Sequence, residues 1–280
     1  MASSAPGASD GEPGGAGPGG AWPHGTTEEP PPRTTSDAGA WLLYAGLGFI
    51  VGQVASTLLL FAAAAATGHS SDVAQLAARP EPPAWVVVSE LVGLWAGFIG
   101  AAVLAVRTRG TGSVRRDLGL EVRPWDVLIG PAVGLAGQIL LLPVLYLPLE
   151  HVIPHLDDRL QAPAKHLTGG FPGSDLAVIG VLTVVVVPVV EELFFRGLVL
   201  RALLRVCAPA GPVLGVTLAV VADGVIFGLA HFELLQLLGL AAFGVVLSLM
   251  AYRLGRLGPG IFAHGAFNLL AVLSVAGVVH

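Results

Sequence analysis

The sequence predicts an all-α fold: a polytopic membrane helix bundle of about seven transmembrane helices, preceded by a disordered N-terminal tail. Three observations predict it. Hydrophobic residues make up 54% of the 280-residue chain and charged residues only 12%, against roughly 25% charged residues in soluble domains. The mean hydropathy is high, at +0.78. The apolar residues fall into stretches of about 20, the length that crosses a bilayer as a helix.

The first 39 residues differ from the rest of the chain. Residues 1–39 are mainly Gly, Pro, Ser, Ala and acidic residues with no apolar period, so they are predicted to be disordered. They lack the charged start and apolar core of a signal peptide. A transmembrane domain is predicted over residues 40–280. Its spans are expected near 40–66, 84–106, 125–149, 175–200, 211–232, 234–253 and 259–279.

Arginine placement predicts the orientation of the bundle. Five arginines lie in the 107–124 loop, two follow the fourth span and two follow the sixth: Arg107, Arg109, Arg115, Arg116, Arg123, Arg201, Arg205, Arg253 and Arg256. Alternating spans place them all on one side, which should be cytoplasmic. The N-terminus is then cytoplasmic. Because basic residues are nearly all Arg in a chain rich in Ala, Gly and Pro, a bacterial inner (plasma) membrane is expected.

Composition also excludes some functions. No basic patch is present, so nucleic acid is not an expected partner. Cys207 is the single cysteine, which excludes an internal disulfide and a multi-cysteine metal site.

Charged residues inside the apolar stretch VVVVPVVEELFFRGLVLRALLRV, residues 184–206, are the first candidate functional groups. A charge at the centre of a membrane helix costs about 2.5–3.5 kcal/mol on the insertion scale. Glu192 and Arg196 are four apart and can pair on one helix face. Glu191 points about 100° away around the helix. It is therefore free to face a cavity and act as a general base for water.

Two further motifs lie in the later spans. Phe227 is predicted to lie under His231, and Asn268 one turn from His264. Imidazoles can bind a metal or move a proton near neutral pH, and an amide can donate to an oxyanion. Together with Glu191 these are the groups that peptide-bond hydrolysis needs. Each motif alone also has a structural reading, as a helix clamp or an interhelical hydrogen bond.

The three motifs as a set resemble those of the CAAX-protease and bacteriocin-processing (CPBP) family, the glutamate-dependent intramembrane endopeptidases that include the prenyl-protein CAAX endopeptidase. Glu191-Glu192 through Arg196 is similar to the first family motif, Phe227 with His231 to the second, and His264 with Asn268 to the third. The resemblance covers about residues 175–272, the expected catalytic core.

The resemblance implies a role for each motif residue. Glu191 would activate the attacking water with help from His231, and His264 and Asn268 would stabilise the tetrahedral intermediate. Glu192 and Arg196 would support the site. The implied substrate is a membrane-anchored or lipidated peptide or protein, with membrane lipid as the surroundings.

Metal use is left open. Glu191, His231 and His264 could act as ligands or as acid–base groups, and no cofactor is certain. The H-E-x-x-H signature of ordinary zinc peptidases is absent, so a divalent metal such as zinc would assist at most.

Other polar residues in the spans have two readings each. Asp223 shares a helix face with His231 and could orient its ring; alternatively it is a buried, protonated carboxyl that bonds between helices. Glu90 could line the cavity or make a neutral helix contact.

The motifs do not share a depth if the helices stand upright. Glu191 is then expected near the middle of the membrane, His231 near the outer end of its span and His264 near the inner start of the last span. Catalysis requires these groups within a few ångströms of one another. Pro188, Gly224 and Gly228 could permit the necessary distortion; otherwise the motifs do not converge.

Two other functions compete with an endopeptidase. A non-catalytic scaffold of the same fold would bind partner membrane proteins and tolerate changes in the motifs. A proton-coupled transporter would relay protons through the intramembrane Glu and His residues. No internal repeat of the kind found in many transporters is evident.

Overall fold

A computed structural model describes residues 34–168 and 173–278. Helices are the regular structure throughout these residues, and seven of the helical stretches are long and apolar enough to span a membrane. The predicted all-α bundle with seven spans is therefore confirmed. The predicted N-terminal tail lies outside the described residues up to residue 33, but α1 begins at Thr35. Residues 35–39 are helical, which corrects the predicted boundary at 39.

The first half of the chain forms three spans with short connecting helices. The first two spans are α1 (Thr35–Thr67) and α3 (Ala84–Arg109), and the short connecting helices are α2 (Val73–Ala77) and α4 (Val114–Leu118). The third span comprises α5 (Asp126–Ala136), the π-helical segment π1 (Gly137–Leu141) and α6 (Leu142–Glu150). α5, π1 and α6 form one continuous span. The amphipathic helix α7 (Leu156–Thr168) follows.

The second half contains an interrupted fourth span and three further spans. The fourth comprises α8 (Gly173–Val181), the π-helical segment π2 (Leu182–Val186), α9 (Val187–Glu192), the π-helical segment π3 (Leu193–Val199) and α10 (Leu200–Cys207). After a 3₁₀ turn come α11 (Pro212–Leu229), α12 (Leu237–Leu254) and α13 (Gly258–Val275). The fourth span therefore runs past its predicted end at 200, and α11 ends before its predicted end at 232.

Close helix packing in the bundle depends on glycine. A Cβ at Gly97 of α3 would lie 2.5 Å from the backbone nitrogen of Gly52 in α1. A Cβ at Gly224 of α11 would lie 2.7 Å from the backbone nitrogen of Val245 in α12. Small residues let membrane helices approach closely enough for van der Waals packing to hold them together. The α11–α12 contact places Asp223 beside Ser248.

The arginine-bearing loops meet at one end of the bundle. Arg256, between α12 and α13, donates from Nη2 to Asp126 Oδ1 at 2.6 Å, at the start of α5. Arg201 of α10 donates to the carbonyl of Gly255, and the Leu257 amide donates to the carbonyl of Gly119. The 107–124 loop, α10 and the α12–α13 loop therefore lie on the same side, as the arginine pattern predicts. We call this side the arginine end.

A cluster of aromatic rings joins the two halves of the chain. Phe98 of α3 stacks on Phe194 of π3 with a centroid distance of 3.9 Å, and Phe194 meets Phe195 edge to face. Phe195 in turn meets Phe227 of α11 edge to face at 5.2 Å. These rings are nearly completely buried. The cluster fixes π3 against α3 and α11 and so sets the position of the charged residues on the other side of π3.

Candidate active site

The Glu192–Arg196 pair expected from the four-residue spacing is present and fully buried. Arg196 Nη1 donates to Glu192 Oε1 at 3.0 Å, and both side chains have 0% exposure. Removing one partner from such a pair leaves an uncompensated buried charge, which costs about 3–5 kcal/mol. Neither Glu192 nor Arg196 is therefore expected to stay buried and charged without the other.

Arg196 also binds the two helices that face it. Its Nη2 donates to the carbonyl of Gly244 in α12 at 3.0 Å. Its Nε lies 3.5 Å from Asp223 Oδ2 in α11. Its guanidinium carbon lies 4.4 Å from the ring centroid of Phe227, within cation–π distance. The arginine thus joins the fourth span to α11 and α12.

Asp223 contacts the arginine rather than a histidine. Ser248 Oγ lies 2.6 Å from Asp223 Oδ2 and 2.7 Å from the carbonyl of Gly244. His231 is held differently, because its Nδ1 lies 2.8 Å from the carbonyl of Phe227 in its own chain segment. Of the two readings of Asp223, the contacts favour the interhelical one over orientation of the His231 ring: Asp223 contacts Ser248 of α12 and Arg196 of the fourth span.

His264 lies between the two adjacent glutamates. Its Nδ1 is 3.3 Å from Glu192 Oε1, and its Nε2 is 3.8 Å from Glu191 Oε2. The imidazole is 4% exposed, whereas Glu191 is 13% exposed and Glu192 is fully buried. Glu192 is thus fixed by an arginine and a histidine. Glu191, turned to a different side of the helix, is the more accessible carboxyl.

Several oxygens of this cluster accept no hydrogen bond from the described residues. They are Glu191 Oε2, Glu192 Oε2 and Asp223 Oδ1, and all three are buried. Buried polar atoms in native structures usually have a partner, and exceptions often mark a catalytic role. The backbone of Gly260 in α13 lies close to one of them, since a Cβ there would be 2.7 Å from Glu192 Oε2.

His231 lies just beyond the end of α11 and reaches the site through Phe227. The centroid of the Phe227 ring is 4.7 Å from that of His231 and 5.7 Å from that of His264. Because a backbone carbonyl only accepts, the His231 Nδ1 carries the proton, and Nε2 is an acceptor in the neutral ring. The second and third motifs therefore converge despite their different predicted depths.

Asn268 is directed to the backbone of the fourth span. Its Nδ2 donates to the carbonyl of Thr183, in π2, at 3.0 Å. Gly265, also in α13, allows the same approach, because a Cβ there would lie 2.8 Å from the carbonyl of Val184. Among the described contacts Asn268 thus joins α13 to π2, while His264, one turn earlier, joins α13 to the glutamates.

The three motifs all lie within one segment of the chain that matches a protein-family model. Residues 173–270 match the family model described as type II CAAX prenyl endopeptidase, Rce1-like. This segment is Rce1-like. The resemblance found from the motifs over about residues 175–272 is thereby confirmed for this segment, and the matching family is one of CAAX-type intramembrane proteases. No curated protein and no solved structure matches the chain.

The Rce1-like segment does not form a metal-binding cluster from the expected ligands. Within residues 34–168 and 173–278, no three His, Cys, Asp or Glu side chains are grouped closely enough to hold a metal ion. Glu191 and His264 are near each other, and the Phe227 ring contacts both His231 and His264 edge to face. In this arrangement Glu191, His231 and His264 therefore do not fit a metal centre.

Three residues of the Rce1-like site were not found from the sequence. Ser248 and Gly244 bind Asp223 and Arg196, and Gly260 borders Glu192. Ser248 is visible as a polar residue in an apolar span, but its partner lies on another helix. The glycines carry no signal by themselves in a chain with 38 of them.

Proposed function

We propose that the protein is an intramembrane endopeptidase that hydrolyses a peptide bond of a membrane-anchored or lipidated peptide or protein. The observation that carries the proposal is the placement of His264 between Glu191 and Glu192, with oxygens of both carboxyls free of hydrogen bonds from the described residues. The Rce1-like match supports the reaction class.

In the proposed mechanism Glu191 is the general base. Its carboxylate takes a proton from water as the hydroxyl oxygen adds to the scissile carbonyl carbon, and the carbonyl oxygen becomes an oxyanion. His231 assists by accepting a hydrogen bond from the water at Nε2. When the intermediate collapses, the C–N bond breaks, and the protonated Glu191 returns the proton to the leaving amine.

His264 is the proposed donor to the oxyanion. Its Nδ1–H points to Glu192, so the imidazolium form presents its second N–H at Nε2, on the side of Glu191. A preorganised donor in a dry site is usually worth about 10²–10³ in rate. Arg196 holds Glu192 in place for this contact. Asn268, whose amide donates to Thr183, is assigned to holding α13 against π2.

The proposed orientation of the protein in the membrane follows from the position of the arginine end. We place it in the cytoplasm of a bacterial cell, with the bundle in the inner (plasma) membrane and the N-terminus cytoplasmic, because α1 begins at that end: Asp37 pairs with Arg109 at 3.6 Å. Lipid and the substrate are the expected partners, and nucleic acid is not. The mechanism requires no metal.

Comparing protein termini by mass spectrometry tests the proposal. Membranes from cells that produce the wild-type protein are compared with membranes that contain Glu191→Gln at matched expression. We expect new termini only with the wild type, because the amide cannot accept the proton, and removal of a general base lowers turnover by at least about 10²-fold. Glu81→Gln, at an exposed carboxyl, is the matched control and should retain the termini.

Two outcomes would contradict the proposal. Wild-type termini in the Glu191→Gln membranes would exclude Glu191 as the base. Identical termini with and without the protein, under several growth conditions, would favour a scaffold or a transporter instead. Solute flux in vesicles containing the purified protein would then separate these two.

A further inference from the structure

We propose that a groove between α1 and α3 binds the primary ammonium headgroup of a bilayer lipid, the chemistry of phosphatidylethanolamine. The groove has a volume of about 280 Å³ and lies outside the Rce1-like segment 173–270. It therefore belongs to the part of the chain that the proposed catalytic mechanism does not use. Its lining residues are Gln53, Ser56, Thr57, Leu60, Val87, Glu90, Leu91 and Leu94.

The two hydroxyls of the groove act as hydrogen-bond acceptors toward a ligand, and the amide oxygen of Gln53 is a further acceptor beside its N–H donors. Ser56 Oγ donates its proton to the backbone carbonyl of Glu90 at 2.6 Å. Thr57 Oγ1 donates its proton to the backbone carbonyl of Gln53 at 3.0 Å. Each hydroxyl has a single proton, so both present only lone pairs to a ligand. A ligand that binds these two hydroxyls must therefore supply N–H or O–H donors, while the Gln53 amide can bind a donor or an acceptor.

Glu90 adds a carboxyl group with no hydrogen-bond donor among the described residues. It is half-buried and lies on a helix whose other residues near the groove are apolar. His166 of α7 interacts with it electrostatically, but makes no hydrogen bond with it. A carboxylate in a membrane span is costly unless it is paired. A cation with several N–H donors satisfies both the charge and the acceptors.

The depth of Glu90 suits a lipid headgroup. α3 has 26 residues and is about 39 Å long, which exceeds the roughly 30 Å hydrocarbon core. Glu90 is six residues, or about 9 Å, from the first residue of α3. If α3 is centred in the bilayer, this is only about 5 Å below the hydrocarbon boundary. Side chains on a helix tilt toward its N-terminus, so the carboxyl points back to that boundary.

The apolar residues of the groove complete the fit to a lipid. Leu60, Leu91 and Leu94 line the groove beside the polar groups, and the neighbouring surface of α1 is exposed and apolar at Val54 and Leu58. An acyl chain can lie along this surface while the ammonium reaches Glu90. A soluble amine would lack that second contact, which distinguishes the lipid from a free amine with the same headgroup chemistry.

Binding of lipids that differ only in N-methylation tests this site. The full-length protein in detergent is titrated with dioleoyl phosphatidylethanolamine and its mono-, di- and trimethylated forms, and bound lipid is counted by native mass spectrometry. The number of N–H donors falls from three to none along this series. We expect affinity to fall at each step and by at least about tenfold over the series, as loss of charge-assisted hydrogen bonds implies.

Variants of the groove residues test whether the preference for phosphatidylethanolamine arises in this groove. Glu90→Gln preserves shape but removes the charge, and should lower binding of phosphatidylethanolamine to the level of the trimethylated lipid. Thr57→Val should lower it partly. Glu150→Gln, an exposed carboxyl at the same end of the bundle, should bind like the wild type. Thermal stability in the trimethylated lipid checks that each variant is folded.

Three results would overturn the proposal. Equal affinity for all four lipids in the wild type would show that donors are not recognised. A preference that survives Glu90→Gln would place the site elsewhere. Equally tight binding of free ethanolamine would show that the groove takes an amine without its lipid. The readout is binding, so none of these outcomes depends on peptidase activity.

Discussion

At the residue scale, one arginine explains how an apolar helix carries two adjacent acids. Arg196 contacts Glu192, Asp223, Phe227 and the carbonyl of Gly244. Its five donors and planar shape suit several partners at once. The burial of Glu192 is thereby offset, and Glu191 does not need a partner on its own helix. A lysine in this position would provide the charge but not the planar group that spans three helices.

The backbone of Gly260 is predicted to control the position of Glu192. A Cβ at this position would lie 2.7 Å from Glu192 Oε2, so Gly260→Ala must displace a carboxylate that Arg196 and His264 hold. Ala is favoured over Gly in a helix by about 1 kcal/mol. We therefore expect lower peptidase activity without a comparable loss of thermal stability. Turnover of an identified substrate and a thermal unfolding curve measure the two effects.

Gly100→Ala is the control for this prediction. Gly100 lies inside α3, and a Cβ there would meet nothing within 4 Å. This variant should gain similar helix stability and keep full activity. If Gly260→Ala is as active as Gly100→Ala, the close approach to Glu192 does not position the carboxylate.

At the scale of the element, the fourth span is the part that hydropathy describes least well. Its apolar pattern predicts a helix, but the pattern does not show that π2 and π3 interrupt it. π-helical turns are rare and often occur at functional sites. Here π3 holds Arg196 and Phe194, and π2 presents the carbonyls that α13 contacts. The residues of π2 and π3 contact other helices, and a single-helix pattern does not contain such contacts.

Asn268 is predicted to stabilise the contact between α13 and π2. Asn268→Leu removes the donor to the Thr183 carbonyl and leaves that acceptor beside an apolar group. Loss of a buried partner costs about 1–3 kcal/mol, so the free energy of unfolding should fall by that amount. Reversible unfolding in mixed micelles measures it.

A threonine on α11 provides the comparison for Asn268. Thr217 donates to the carbonyl of Val213 within its own regular helix, where that carbonyl already has a backbone donor. Thr217→Val should change stability by less than about 0.5 kcal/mol. If Asn268→Leu also leaves stability unchanged but abolishes turnover, then Asn268 acts on the oxyanion and not on the helix contact.

Local rules predicted much of the site, and long-range contacts account for the rest. The Glu192–Arg196 pair and the contact of Phe227 with His231 follow from four-residue spacing on one helix. The link from Asp223 to Ser248 crosses from α11 to α12, so no spacing rule could give it. The assumption of upright helices placed Glu191 and His264 at different depths, whereas His264 Nε2 lies 3.8 Å from Glu191 Oε2.

At the scale of the whole molecule, the two ends of the bundle differ in construction. The arginine end is closed by the Arg256–Asp126 pair and by Arg201, which donates to the Gly255 carbonyl. Glu121, partly exposed in the loop before α5, has its pKa lowered chiefly by the hydrogen bond from Arg123. The opposite end carries fewer arginines, and Glu90 lies in the half of α3 nearer to it. The sequence predicted this asymmetry because the positive-inside pattern depends on loop composition alone.

The orientation of the bundle can be measured with a matched pair of cysteines. Val122, 54% exposed, lies in the loop at the arginine end, and Val152, 74% exposed, follows α6 at the opposite end. In a Cys207→Ser background, we expect a membrane-impermeant maleimide to label Val152→Cys in intact cells and Val122→Cys only after permeabilisation. Because both variants replace Val by Cys, a difference in labelling cannot come from the type of residue that was replaced. The reverse labelling pattern would place the arginine end outside, against the positive-inside rule. It would also reverse the membrane leaflet in which the groove at Glu90 meets lipid headgroups.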